Sequence, residues 1–202
     1  MRVFLIHGMG RTTASMVLLG RRLARAGHEP VPFGYRVTRH DLPRIAEDFR
    51  AHVARATSKE PGAAYAVIGH SLGNVITRLC SPTLPAGFAR FVMLAPPNRS
   101  PSLARAMRKS RLFALLTGDA GKKLGDHGFF AELPVPDVPT LVIAGRASAP
   151  FLPFRGAASD GIVGVHETHL PGAHHALVDA AHTFIMNDRR ATKLVLDFLA
   201  QP

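Results

Sequence analysis

Ala64-Tyr65-Ala66-Val67-Ile68-Gly69-His70-Ser71-Leu72-Gly73-Asn74-Val75-Ile76 is the stretch on which the fold turns. Ala64 to Ile68 is short, apolar and bounded by glycine, as a buried strand is, and Leu72 to about Cys80 reads as a helix. The pentapeptide Gly69 to Gly73 between them has the form G-x-S-x-G. Alone, that pattern is weak. Set between a strand and a helix, it describes a sharp turn that lifts the serine hydroxyl clear of the sheet edge. Gly69 and Gly73 let neighbouring backbone approach closely. The helix that starts behind Ser71 directs its free N–H groups and positive dipole end toward developing negative charge.

Outward from this stretch the same alternation continues. Arg2 to Ile6 is a first strand, followed by a helix from about Ala14 to Ala26 with Met16, Leu19, Leu23 and Ala26 on one face and Gly27 as its stop. Val31 to Tyr35 reads as a second strand. Asp41 caps the next helix, Pro43 lies in its first turn, and Ile45, Phe49, Val53 and Ala56 form its buried stripe. Phe88 to Leu94 and Thr140 to Ala144 are further strands. A last strand lies within His175 to Asp179, before a helix that begins near Asp188 and carries Leu194, Val195, Phe198 and Leu199 on one face. Strands alternating with helices predict an α/β fold with a parallel sheet. Residues 98 to 139 break the alternation. They hold a basic stretch, Ser102 to Arg111, then Leu112-Phe113-Ala114-Leu115-Leu116 and a glycine-rich piece, and read as an insertion within the domain.

Composition narrows the class. The 202 residues are 47% hydrophobic and 19% charged, which excludes intrinsic disorder and supplies a core without staples. The one cysteine, Cys80, excludes an intrachain disulfide. No apolar run approaches the roughly 20 residues that span a bilayer. Val3 to Ile6 is broken by His7-Gly8, too soon for a secretory signal, so a mature N-terminus and a cytoplasmic location are expected. Net charge is +11, from 25 Lys and Arg against 14 Asp and Glu. Twenty of the cations are arginines scattered along the chain, the densest group being Arg105, Arg108, Lys109 and Arg111. That distribution does not read as a nucleic-acid footprint. It predicts a weak attraction to anionic surfaces or substrates.

The motifs together carry a resemblance. Phe4-Leu5-Ile6-His7-Gly8-Met9-Gly10, Gly69-His70-Ser71-Leu72-Gly73, Leu94-Ala95-Pro96-Pro97-Asn98, Asp160-Gly161-Ile162-Val163 and His182-Thr183 occur in that order over almost the whole chain. In this the sequence resembles a small member of the α/β-hydrolase superfamily, of the bacterial lipase and esterase kind. Two departures stand out. Asn74 occupies a position where many relatives have a second glycine, and the chain starts directly at the strand bearing His7-Gly8. The resemblance implies a minimal α/β-hydrolase fold: about six mostly parallel strands flanked by helices, a single domain over 1–202, and a cap-like insertion at about 98–139.

A serine hydroxyl needs a general base, and in this superfamily the base is a histidine oriented by an acid, in the order Ser, Asp or Glu, His. The resemblance implies Ser71 as nucleophile, Asp160 as acid and His182 as base. Glu167 and Asp179 are weaker alternatives for the acid, and Asp137 precedes its strand and so belongs at the wrong end of the sheet. His174 and His175 are the alternatives for the base, while His70 reads as packing beside the serine. The oxyanion hole would use the backbone N–H groups of Leu72 and, by resemblance, Met9. No cofactor is implied. His166-Glu167-Thr168-His169 is one residue short of H-E-x-x-H, so no metal is expected. The implied activity is hydrolysis of a small carboxylic ester through an acyl-enzyme. Acyl transfer or thioester cleavage on the same residues, a non-catalytic binding protein of the same fold, and action at an anionic lipid surface through Leu103 to Leu116 are the rival readings.

Overall fold

Residues 3 to 6 alternate between two environments, and that alternation organises the molecule. In the computed structural model, which describes 1–107, 111–146 and 157–201 (with the side chains of 105–107, 111–116 and 122 left aside), Val3 and Leu5 face one core while Phe4 and Ile6 face another. A strand can feed two cores only when both faces of its sheet are covered, as in a parallel α/β layer. Arg108 and Lys109 of the basic group lie outside the described residues, as do the side chains of Arg105, Arg111 and Leu112 to Leu116.

The strands are β1 (Arg2–Ile6), β2 (Glu29–Phe33), β3 (Tyr65–His70), β4 (Phe88–Leu94), β5 (Thr140–Gly145) and β6 (His174–Val178). They form one sheet in the order β2-β1-β3-β4-β5-β6, and every pairing is parallel. Helices α1 (Val17–Arg25), α2 (Leu42–Thr57), α3 (Leu72–Cys80), α4 (Ser102–Met107), α5 (Arg111–Leu124), α6 (His127–Glu132) and α7 (Arg189–Leu199) complete the chain. Ile45, Phe49 and Val53 of α2 and Val75 and Ile76 of α3 cover the face that carries Phe4, Val67 and Phe91. Leu19 and Leu23 of α1 and Val195 and Phe198 of α7 cover the face that carries Val3, Ile68 and Val92.

Local chemistry explains the element ends. Asp41 Oδ1 accepts the Arg44 N–H at 2.9 Å to start α2, and Asp188 Oδ1 accepts the Ala191 N–H at 2.7 Å to start α7. Gly27 follows α1 with φ +84°, a conformation that glycine adopts without strain. The second strand departs from expectation. It spans Glu29–Phe33, not 31 to 35, and it contains Pro30 and Pro32. Both prolines are tolerated because, among the described residues, β2 pairs with β1 alone, so their missing donors fall on the open edge. Tyr35, freed from the strand, stacks on His7 with ring centroids 4.3 Å apart. The first helix also begins later than expected, after a tight helical turn over Thr13–Met16. Among the described residues no helix is long and apolar enough to cross a membrane.

The chain crosses from β2 back past β1 to β3, so strand order reverses between β1 and β3. That reversal, at the carboxyl ends of the strands, is where open α/β sheets bind their ligands.

Candidate active site

At the end of β3, Ser71 holds φ +51° and ψ −117°, a backbone region that L-residues rarely enter. Its surroundings over-determine that strain. The Ser71 N–H donates to Leu94 O at 2.9 Å, and Ser71 O accepts the Asn74 N–H at 3.0 Å. Asn74 Nδ2 also donates to Leu94 O at 3.1 Å, so this side chain ties α3 to the end of β4. A methyl on Gly73 would sit 2.7 Å from Ile6 O, so α3 reaches β1 only because that position has no side chain.

The loops after β5 and β6 bring the other two predicted residues to the serine. His182 Nε2 accepts the Ser71 hydroxyl at 2.9 Å. His182 Nδ1–H donates to Asp160 Oδ2 at 2.7 Å. Asp160 Oδ1 accepts the N–H groups of Ile162 at 2.9 Å and Val163 at 2.8 Å, which locks the carboxylate plane. The backbones are joined as well, since the His182 N–H donates to Asp160 O at 3.0 Å. Asp160 and His182 are buried, whereas Ser71 is half-buried.

The alternatives are engaged elsewhere. Glu167 is buried and accepts from Gly164 N–H at 2.8 Å, from Ser102 N–H at 2.7 Å and from the Ser102 hydroxyl at 2.6 Å. Asp179 is an exposed partner of Arg146 at 2.7 Å. Asp137 is exposed at the opposite end of the sheet, ahead of β5. His175 Nε2–H donates to the Thr168 hydroxyl at 2.8 Å, and His174 packs on Phe198.

Leu72, at the first position of α3, directly follows the serine, and Met9 follows Gly8 in the loop after β1. Among the described residues neither of their N–H groups donates to another protein atom. Gly8 packs tightly against the serine turn, since a methyl there would lie 3.1 Å from Ser71 Cβ and 2.7 Å from His70 Nδ1.

His70 does more than the packing expected of it. Its Nε2–H donates to His182 O at 2.9 Å, and the two rings lie 5.0 Å apart. A histidine inside the pentapeptide thus holds the backbone of the histidine that meets the serine. Nothing in the sequence separated this role from packing, because the partner lies 112 positions away. Burial, followed by the nearby His182, pushes the His70 pKa well below the usual imidazole range, and burial also lowers His7. Both rings therefore resist protonation in the folded state while taking a proton freely when unfolded. Their contribution to stability is complete above the unfolded pKa of about 6.5 and is lost as the pH falls toward the depressed folded values. Melting temperature should decline as the pH is lowered from about 7 to about 5, and less steeply in a His70→Gln protein. Parallel pH profiles for the two proteins would count against this.

A parallel sheet covered on both faces, with a strained serine on a strand-to-helix turn at the strand reversal, defines an α/β hydrolase. The family model described as serine aminopeptidase, S33, matches residues 1–125. The chain belongs to that family. No curated protein matches the sequence. The fold is similar to that of the mature lipase BlEst2 of Bacillus licheniformis, at TM-score 0.80 and 15% identity over 98% of this chain and 91% of that one. It is similar also to the phospholipase PlaB of Legionella pneumophila in complex with thio-NAD, at TM-score 0.76 and 17% identity over 100% of this chain and 59% of that one. An enol-lactonase from Burkholderia xenovorans gives TM-score 0.61 and 16% identity over 99% of this chain and 91% of that one.

Proposed function

We propose that the protein is a serine hydrolase that cleaves small carboxylic esters through an acyl-enzyme. The observation that carries this reading is the pair of hydrogen bonds in series, Asp160 to His182 at 2.7 Å and His182 to Ser71 at 2.9 Å. The Ser71 oxygen attacks the ester carbonyl as its proton passes to His182 Nε2. Asp160 keeps Nδ1 protonated and supports the imidazolium. The oxyanion that forms is received by the N–H groups of Met9 and Leu72, which among the described residues donate to no other protein atom. His182 then protonates the departing alcohol oxygen. Water enters, gives its proton to His182 and attacks the acyl carbonyl, and the serine regains its proton.

Esters are favoured over peptides with a free amino terminus, despite the family's description. An aminopeptidase has to receive its substrate's ammonium, and an unspent carboxylate is the natural partner. Asp160 and Glu167 are committed as described, and Asp48, in the cleft beside β1, is paired with Arg44 at 3.0 Å. The remaining charges of that cleft are arginines. In this reading 98–139 caps the same domain: Asp119 of α5 accepts the Leu42 N–H at 3.3 Å, and Gly118, with φ +57°, lies against Val37 O.

A fluorophosphonate probe should label Ser71 and nothing else, and short p-nitrophenyl esters should be turned over. A protein that stays unlabelled has no activated serine, and the proposal falls.

A further inference from the structure

Between the loop after β1 and the loop after β2, with His7 in its lining, lies a cleft of about 650 Å³. Phe33 and Ile45 supply buried apolar lining, and Arg11, Arg36 and Arg39 supply exposed guanidinium groups. Two tight turns carry these arginines: Arg11 N–H donates to Gly8 O at 3.2 Å, and Arg39 N–H donates to Arg36 O at 3.1 Å. Among the described residues none of the three has a carboxylate within ion-pair distance, although Arg2, Arg44, Arg50 and Arg146 all do. Asp48, the acid of the cleft, is held by Arg44. His7 adds no charge. Its Nδ1–H donates to Gly8 O at 2.9 Å, its Nε2 accepts the Tyr35 N–H at 3.3 Å, and burial keeps it neutral.

Three cations that line one concave surface without a carboxylate partner repel one another until an anion joins them. The fold puts that surface on the β1–β2 side of the sheet. His182 and Asp160 reach Ser71 from loops following β6 and β5, while the cleft stands on the opposite side, over β1 and β2. His182 must protonate the departing oxygen, which places the alcohol on the β5–β6 side and leaves the β1–β2 side to the acyl chain. Met9 and Gly8, next to Ser71, lead directly into the turn that ends at Arg11. The charge of Arg11 also reaches the buried His70, though it ranks behind burial and His182 there.

We infer that this cleft is a subsite for an oxyanion carried on the acyl chain, so that the preferred ester bears a terminal carboxylate or phosphate. The inference rests on the ester-hydrolase reading only for its catalytic half. Binding is tested without chemistry. Adipate and inorganic phosphate are titrated separately into the Ser71→Ala protein and into the same protein carrying Arg36→Gln and Arg39→Gln. Each lost guanidinium contact should weaken binding about tenfold. Saturable adipate binding without phosphate binding assigns a carboxylate, and the reverse assigns a phosphate. Failure of both anions to bind, or equal binding by the two proteins, overturns the subsite.

In the catalytic arm, mono-p-nitrophenyl adipate is compared with p-nitrophenyl hexanoate, which has a methyl in place of the carboxylate. The ratio of their kcat/KM values should exceed one at low salt. It should fall about tenfold or more in Arg36→Gln/Arg39→Gln and shrink as salt rises. A ratio unmoved by the arginine substitutions also overturns the subsite. Turnover of neither ester by the wild-type protein overturns the ester-hydrolase reading instead, and the titration still decides the subsite.

Discussion

Ser71→Ala protein should turn over p-nitrophenyl esters about a million-fold more slowly than wild type, the loss expected when the nucleophile of a Ser-His-Asp set is removed. Its melting temperature should stay close to that of the parent, because alanine is strained by φ +51° as serine is. Ser71→Gly separates the two properties. It removes the same hydroxyl but tolerates the turn, so it should be equally inactive and about 1–3 kcal/mol more stable. Steady-state assays and thermal melts of the two variants side by side make the check. Residual activity above about a thousandth of wild type would show that the attacking group lies elsewhere.

Asp160→Asn should cost about ten-thousand-fold in kcat, nearly as much, for a different reason. The Oδ1 atom that accepts from Ile162 and Val163 is retained in asparagine, so the loop keeps its anchors. The group facing His182 changes from an acceptor to an amide donor. His182 must then accept at Nδ1 and carry its proton on Nε2, where it can no longer take the serine proton. Circular dichroism should remain that of wild type while turnover disappears. Turnover within tenfold of wild type would remove Asp160 from the proposed mechanism.

Much of the sheet is legible in the sequence because apolar runs of strand length are bounded by glycine, proline or capping residues. Phe88 to Leu94 is an example, and its range in the fold is the expected one. Asp41 and Asp188 are helix starts by side-chain chemistry alone, and both cap as expected. Edge position is not legible in the same way. Proline at 30 and 32 argues against a strand until it is known that one side of that strand has no partner, which is a property of the assembled sheet. Helices α4 to α6 fall in the stretch where no single periodicity holds, and α5 is bent at Gly118.

At the site, the serine turn follows from local sequence. The histidine was harder to single out: five lie between 166 and 182, and only three-dimensional proximity shows which one reaches residue 71. The link from His70 to the backbone of His182, and the commitment of Glu167 to Ser102 and Gly164, are contacts across loops that no local pattern encodes.

The prolines of β2 have a last consequence, for self-association. An incoming strand needs a row of amide donors, and Pro30 and Pro32 leave gaps in the only row that this margin could offer. The opposite margin, at β6, has no proline and exposes Leu177 at 37% of its surface. Fibril growth or strand exchange between copies of this chain would therefore proceed from β6, and a charged or proline residue placed there would be the economical way to keep concentrated protein in solution.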